Sequence, residues 1–171
     1  MFMDILDVIR SRSTAKSFTG GSIDSQAIDR ILEAGRLAPS AKNRQAWRFI
    51  AVQREELKKT LSEACYGDQR LIDAGYVIAV CTTNIQYTMP NGQLSYPIDM
   101  AFAASFMMLQ AEHEGLGSSL LATYDERSVK DLLTVPHAMR VVMLLAVGNS
   151  SEKQEYKDRL PKERVISYDH W

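Results

Sequence analysis

Apolar residues along this chain fall into two alternating patterns, stripes at helical spacing and short continuous runs. Ile5, Leu6 and Ile9, preceded by Phe2, recur between Asp4, Asp7 and Arg10, which predicts a short amphipathic helix over residues 3–11. Ala27, Ile28, Ile31, Leu32, Ala34 and Gly35 make the apolar face of a second helix. Asp24 is its N-cap, Ile23 and Ile28 form a hydrophobic staple, and the helix runs to about Leu37, where Pro39 ends the pattern. Trp47 to Val52 is a β-prone run, and Glu55 to Ala64 reads as a helix with Leu57 and Leu61 inward. Asp68, Gln69 and Arg70 open a short turn or helix before a second strand, Tyr76 to Cys81.

Thr82 to Pro97 is polar and broken by Pro90, Asn91-Gly92 and Pro97, and a loop of that length is either disordered or part of a site. Pro97 starts the strongest helix, Ile98 to Glu114, with Asp99 suited to its positive end. Residues 100–109 are nearly all apolar, so this helix should be buried on most sides, with a second subunit covering part of it; Met107 and Met108 read as core. Gly115-Leu116-Gly117 ends it, and Ser118 to Thr123 reads as a buried strand. Asp125 caps a helix to Leu133, and Arg140 to Val147 is the clearest strand. The tail from Gly148 is polar, with Lys153, Lys157, Arg159, Lys162 and Arg164, but its Tyr168 and Trp171 need something to pack on. About four strands and five or six helices in mixed order predict a sheet covered by helices, α/β or α+β in class, as a single domain over residues 1–171.

Composition narrows the chemistry. The 171 residues, 46% hydrophobic and 24% charged, suffice for one sizeable core and are too few for two. A net charge of -1 attracts neither nucleic acid nor an anionic membrane, so any anion must be met by a local cluster of cations. Cys65 and Cys81 form no CxxC pair, and His113, His137 and His170 stand at no ligand spacing with them, so neither a disulfide framework nor a metal site is indicated. A cytoplasmic location is the expectation. Asp4, Asp7 and Arg10 deny the first ten residues the apolar stretch of a signal peptide, and the longest apolar run, Val141 to Val147, is far short of a membrane span.

Two polar segments stand out. Arg10 to Phe18 carries three cations and four hydroxyls, and if extended it places Arg12, Thr14 and Lys16 on one face suited to an oxyanion. Leu37 to Phe49 sets Ser40, Lys42, Asn43, Arg44 and Gln45 between a helix end and a strand, a natural place to hold a ligand. By residue type alone, each is equally readable as a solvated loop. No Gly-x-Gly-x-x-Gly follows a strand and no P-loop is present, so Rossmann and nucleotide-hydrolase readings lack support.

Four segments in order resemble the nitroreductase family of FMN-dependent oxidoreductases. They are Arg12 to Phe18, Ala38 to Phe49, the Pro97-Ile98-Asp99 helix ending in Gly115-Leu116-Gly117-Ser118, and Leu160 to Arg164. The resemblance implies an α+β fold with a central, mostly antiparallel mixed sheet flanked by helices, completed as a homodimer with FMN at the subunit interface. It assigns flavin contacts to Arg12, Ser13, Thr14 and Lys16, with Arg70 near the pyrimidine edge. Pro39, Ser40, Asn43 and Gln45 would line the flavin from the other subunit, while Lys162 and Arg164 would clamp its phosphate. Ala122 and Thr123 stand where the family presents a backbone N–H to the flavin N5, and Ala46 replaces its usual proline.

The activity so implied is a ping-pong transfer from NAD(P)H through FMN to a nitroaromatic, quinone or activated alkene. Lys16 is the candidate catalytic residue, a cation beside the negative charge that develops at the flavin N1/O2 edge. The alternatives are a specialised relative carrying out dehalogenation, flavin fragmentation or azoline oxidation, and a non-catalytic flavin-binding protein. In the specialised case Tyr87, Asn91 and Tyr96 of the long loop would shape the pocket.

Overall fold

The computed structural model describes residues 4–150 and 159–171; Phe2, Lys153 and Lys157 lie outside them. The first half runs α1 (Ile5–Ser11), α2 (Ser25–Arg36), a 3-10 turn (Ala41–Asn43), β1 (Trp47–Val52), α3 (Glu55–Ala64), α4 (Gln69–Asp73) and β2 (Tyr76–Thr82). The second half runs α5 (Ser95–His113), β3 (Gly117–Leu121), α6 (Glu126–Leu133), β4 (Arg140–Gly148) and α7 (Lys162–Val165). The four strands form one sheet in the order β1-β2-β4-β3. Every strand pairing is antiparallel, and the only parallel pairing among the described residues is an isolated bridge from Thr14 to Ser118.

The side-chain period of two explains the layers. Ile78, Val80, Met143, Leu145 and Val147 point to one face, where they meet Ile28 and Ile31 of α2 and Met100 and Met107 of α5. Val77, Ala79, Cys81, Leu144 and Ala146 point to the other, against Leu61 of α3, Leu71 of α4 and Val129 of α6. A bulge between Val80 and Cys81 shifts the register so that Val80 opposes Met143 and Cys81 opposes Val141. The staple holds as expected: Asp24 accepts from the Gln26 N–H at 3.1 Å, and Ile23 and Ile28 are both buried.

Four features differ from the sequence reading. α5 begins at Ser95, so Pro97 sits inside its first turn, where a helix has no acceptor for the N–H that proline lacks. Asp99 does not face the helix end as a free charge; it is buried and accepts a hydrogen bond from the Ala41 N–H at 2.9 Å. β3 stops at Leu121, leaving Ala122 and Thr123 exposed beyond it. The loop after β2 is a folded turn: Asn84 Oδ1 accepts from the Gln86 and Tyr87 N–H groups, and Thr88 bridges Leu94 across Pro90-Asn91-Gly92.

α5 buries one side and bares another. Ile98, Phe102 and Phe106, four residues apart, keep 37%, 45% and 39% of their surface exposed and line up on one stripe. Among the described residues no helix is long and apolar enough to cross a membrane.

Gly148 ends β4 where no side chain fits. A Cβ there would come within 2.8 Å of the Phe18 ring and 3.0 Å of the Gly75 nitrogen, and backbone cannot move aside cheaply. Gly148→Ala should therefore destabilise the protein by about 1–3 kcal/mol, read as a lower midpoint in urea unfolding at unchanged slope.

Candidate active site

After α1 the chain turns extended and lies along the β3 edge. The Ala15 N–H donates to the Ser118 carbonyl at 2.9 Å and the Thr19 N–H to the Asn149 carbonyl at 2.8 Å. Ala15 and Phe18 are buried, Thr14 and Lys16 are exposed, and Arg12 and Ser13 are half-buried, so the alternation expected of an extended segment holds only from Thr14 to Lys16.

Arg70 reaches the same strand from α4. Its Nη1 donates to the Ser119 hydroxyl at 2.8 Å, while Nε and Nη2 grip Asp68 at 2.9 and 2.5 Å. The Arg70 hydrogen bonds hold the Asp68 carboxyl below its ordinary value, and Asp68 in turn raises the guanidinium. Residues 12–16 and Arg70 thus converge on Ser118 and Ser119, with Ala122 and Thr123 just beyond the strand's far end.

The second polar segment is built on strained backbone. Lys42, Asn43 and Gln45 all adopt positive φ, at 52°, 53° and 51°. Each such residue costs roughly 1–3 kcal/mol unless its surroundings impose it. Here the Ser40 hydroxyl accepts from the Gln45 N–H at 3.0 Å, Asp99 holds the Ala41 N–H, and the Gln45 side-chain amide donates to Asn43 Oδ1 at 3.1 Å. Arg44 stacks 3.9 Å above the Tyr87 ring, with Lys42 5.5 Å from the same ring. Pro39 and Asn43 stay exposed.

The two segments lie at opposite ends of α5. The loop is tied to Asp99 in its first turns, whereas Ser118 follows its last turn, and the helix from Asp99 to His113 alone spans roughly 20 Å. Lys162 and Arg164 sit on the exposed one-turn helix α7, with no hydrogen bond to either segment among the described residues. One chain therefore sets Arg12, Ser13, Thr14, Lys16 and Arg70 about Ser118 and Ser119, and holds Pro39, Ser40, Asn43 and Gln45 at the other end of α5.

Several cations of these segments carry no ion pair. The ion pairs among the described residues engage Arg10, Arg30, Arg36, Arg70, Lys130 and Arg140, but not Arg12, Lys16, Lys42, Arg44, Lys162 or Arg164. Cations left without carboxylates suit an anionic ligand. Burial pushes the Cys65 and Cys81 thiols up to about 11, so neither supplies a thiolate nucleophile. No metal-binding group of His, Cys, Asp or Glu occurs among the described residues.

Sequence reasoning did not single out Ser119, and it named Asp68, Asp99 and Tyr87 without their partners Arg70, Ala41 and Arg44. Asp68 and Arg70 stand two positions apart, a spacing that could have suggested their pairing; the partners of Asp99 and Ser119 lie 58 and 49 positions away and leave no local trace.

A pH dependence follows from the Asp68–Arg70 pair. Because the folded carboxyl titrates below its ordinary value of 3.8, the pair's contribution is full above that pH and is lost as pH falls through the folded value. Arg70→Gln should cost about 1–2 kcal/mol at pH 6 and progressively less below pH 3.8, measured by urea unfolding across that range.

Comparison with known proteins places this geometry. The profile of the nitroreductase family matches residues 9–94 and 66–149. A protein of Archaeoglobus fulgidus, named provisionally as an NADH dehydrogenase/NAD(P)H nitroreductase, is 31% identical over 95% of this chain and 96% of its own length. The crystal structure of a nitroreductase family protein from Clostridium novyi NT superposes with a TM-score of 0.82 at 27% identity, covering 90% of both chains. An FMN-dependent nitroreductase from Clostridium difficile R20291 shares the fold with a TM-score of 0.84 at 22% identity, over 97% of this chain and 99% of its own. The helix-covered antiparallel sheet is thus that of a known group: the chain belongs to the nitroreductase family of oxidoreductases.

Proposed function

We propose that this protein is an FMN-dependent NAD(P)H oxidoreductase, a single domain over residues 1–171 that works as a homodimer. It passes electrons to a nitroaromatic, quinone or activated alkene in a ping-pong cycle. The observation that carries the reading is the separation by the length of α5 of two polar walls whose Arg12, Lys16, Lys42 and Arg44 have no ion-pair partner among the described residues, in a chain whose α5 also bares Ile98, Phe102 and Phe106. A second copy packed on that stripe would bring its Pro39 to Gln45 loop against the first copy's Arg12 to Lys16 segment. It would also bury the exposed Ile5, Leu6 and Ile9 of α1 and the tail residues Leu160, Tyr168 and Trp171.

The donor set fits FMN. Arg12, Lys162 and Arg164 would meet the phosphate, which needs charge-assisted donors free of competing carboxylates. Ser13, Thr14 and Arg70 would hold the ribityl chain and pyrimidine edge, with Asp68 and Ser119 fixing the plane of the Arg70 guanidinium. Pro39, Ser40, Asn43 and Gln45, pre-shaped by the strained loop, would line the other side from the second copy. The backbone N–H groups of Ala122 and Thr123, exposed past the end of β3, would steady the reacting edge. Bound FMN supplies the two-electron relay between donor and acceptor, which no side chain here provides. Lys16, exposed and unpaired among the described residues, would stabilise the negative charge that builds up during reduction. A cytoplasmic location fits the two free buried cysteines.

The purified protein should be yellow and bleach on anaerobic addition of NADH or NADPH; a colourless protein that takes up no added FMN would refute the reading. Lys16→Ala should slow flavin reduction about a hundredfold in stopped flow while weakening FMN binding far less. Asn43→Ala or Gln45→Ala should lower FMN retention on gel filtration with unchanged far-UV dichroism. Phe102→Glu should yield a folded monomer by sedimentation and release FMN at the same time.

A further inference from the structure

At one end of the sheet, the start of β1, the segment after β2 and the approach to β4 enclose an open groove of about 940 Å³. We infer that this groove binds the phosphate-bearing adenosine end of the dinucleotide donor, outside the flavin site. The inference rests on the reading that NAD(P)H is the donor.

Arg44 and Arg48 line the groove together with Gln45, Asn84 and Gln86, and no carboxylate does. Neither arginine has an ion-pair partner among the described residues. The only side-chain hydrogen bond of the pair there runs from Arg48 to the Trp47 carbonyl. Two carboxylates near this end are already engaged: Glu126 bonds Arg140 and Lys130, and Asp99 is buried on the Ala41 N–H. In a protein of net charge -1, cations left free in a concave surface are a local anion site and not part of a general basic field.

The geometry favours phosphate carried on a nucleoside. The Arg44 guanidinium carbon lies 3.9 Å from the centre of the Tyr87 ring, and its N–H groups make no hydrogen bond among the described residues, so they remain able to grip a phosphate. Asn84 uses its carbonyl oxygen on two backbone N–H groups, so its amide NH2 is free to donate. The Gln86 side chain makes no hydrogen bond among the described residues and can both donate and accept, as a base edge requires. Gln45 ties the groove to chemistry: it lines the cavity and also belongs to the loop that faces the flavin. A molecule with a reacting ring at one end and phosphates at the other would run past Gln45 and finish on Arg44 and Arg48.

The test uses the holoprotein and its variants Arg44→Gln and Arg48→Gln. Calorimetric titration with adenosine 2′,5′-bisphosphate should show binding to wild type that weakens about tenfold in each variant, the loss of one charge-assisted contact. KM for NADPH should rise by a similar factor, while in Arg48→Gln, outside the Pro39 to Gln45 loop, reduction by 1-benzyl-1,4-dihydronicotinamide, which has no phosphate, and FMN content should stay within about twofold of wild type. Equal bisphosphate affinity in wild type and both variants, or none in wild type, would overturn the inference. So would a matching loss of rate with the benzyl donor, which would place the arginines in the flavin site, or displacement of the bisphosphate by an equal concentration of inorganic phosphate. Protein that cannot bind FMN but still binds the bisphosphate through both arginines would refute the flavin reading and leave the groove standing.

Discussion

Burial of both faces of the central strand pair is the constraint on which this structure depends. β2 is buried at every position from Tyr76 to Thr82, and β4 is buried continuously from Met143 to Gly148. Strands apolar on both faces must be covered on both sides, so α2 and α5 take one face and α3, α4 and α6 the other. With the faces committed to packing, polar chemistry is left to the sheet edge and to its ends. The Arg12 to Lys16 segment occupies the β3 edge, and the Ser40 to Gln45 loop and its neighbouring groove occupy the end where β1 starts.

In the proposed function, α5 turns that division into a role for a second chain. It is long enough to hold one polar wall at its first turns and the other past its last, too far apart to touch one small ligand. Its inner side closes against α2 tightly enough that a Cβ on Gly35 would come within 2.8 Å of Met107, whereas its outer side presents aromatic rings to solvent. A helix apolar all round, seated on only one neighbouring layer, is consistent with an incomplete burial that a copy of the same surface would finish.

The loop from Ser40 to Gln45 shows how a polar site is kept rigid without regular structure. Three non-glycine residues in the left-handed region are held there by Ser40, Asp99 and the Asn43–Gln45 amide pair, and Ala46, which lacks proline's fixed φ, is backed by its carbonyl accepting from the Thr83 N–H at 2.8 Å.

Local periodicity and turn chemistry were sufficient to determine the elements. The Asp24 and Asp125 caps, the β2 and β4 runs and the Gly115 stop act within a few residues of themselves, and each is found where the pattern put it. The resemblance named the family because short segments keep their order along the chain. Which residues share a site was decided only by the tertiary structure. Arg70 meets Ser119 across 49 positions, Asp99 meets Ala41 across 58, and the groove joins the Arg44 to Arg48 stretch with Asn84 and Gln86. Such pairings depend on strand order and helix length, quantities set by how two apolar faces close over one sheet, and no stretch of sequence carries them by itself.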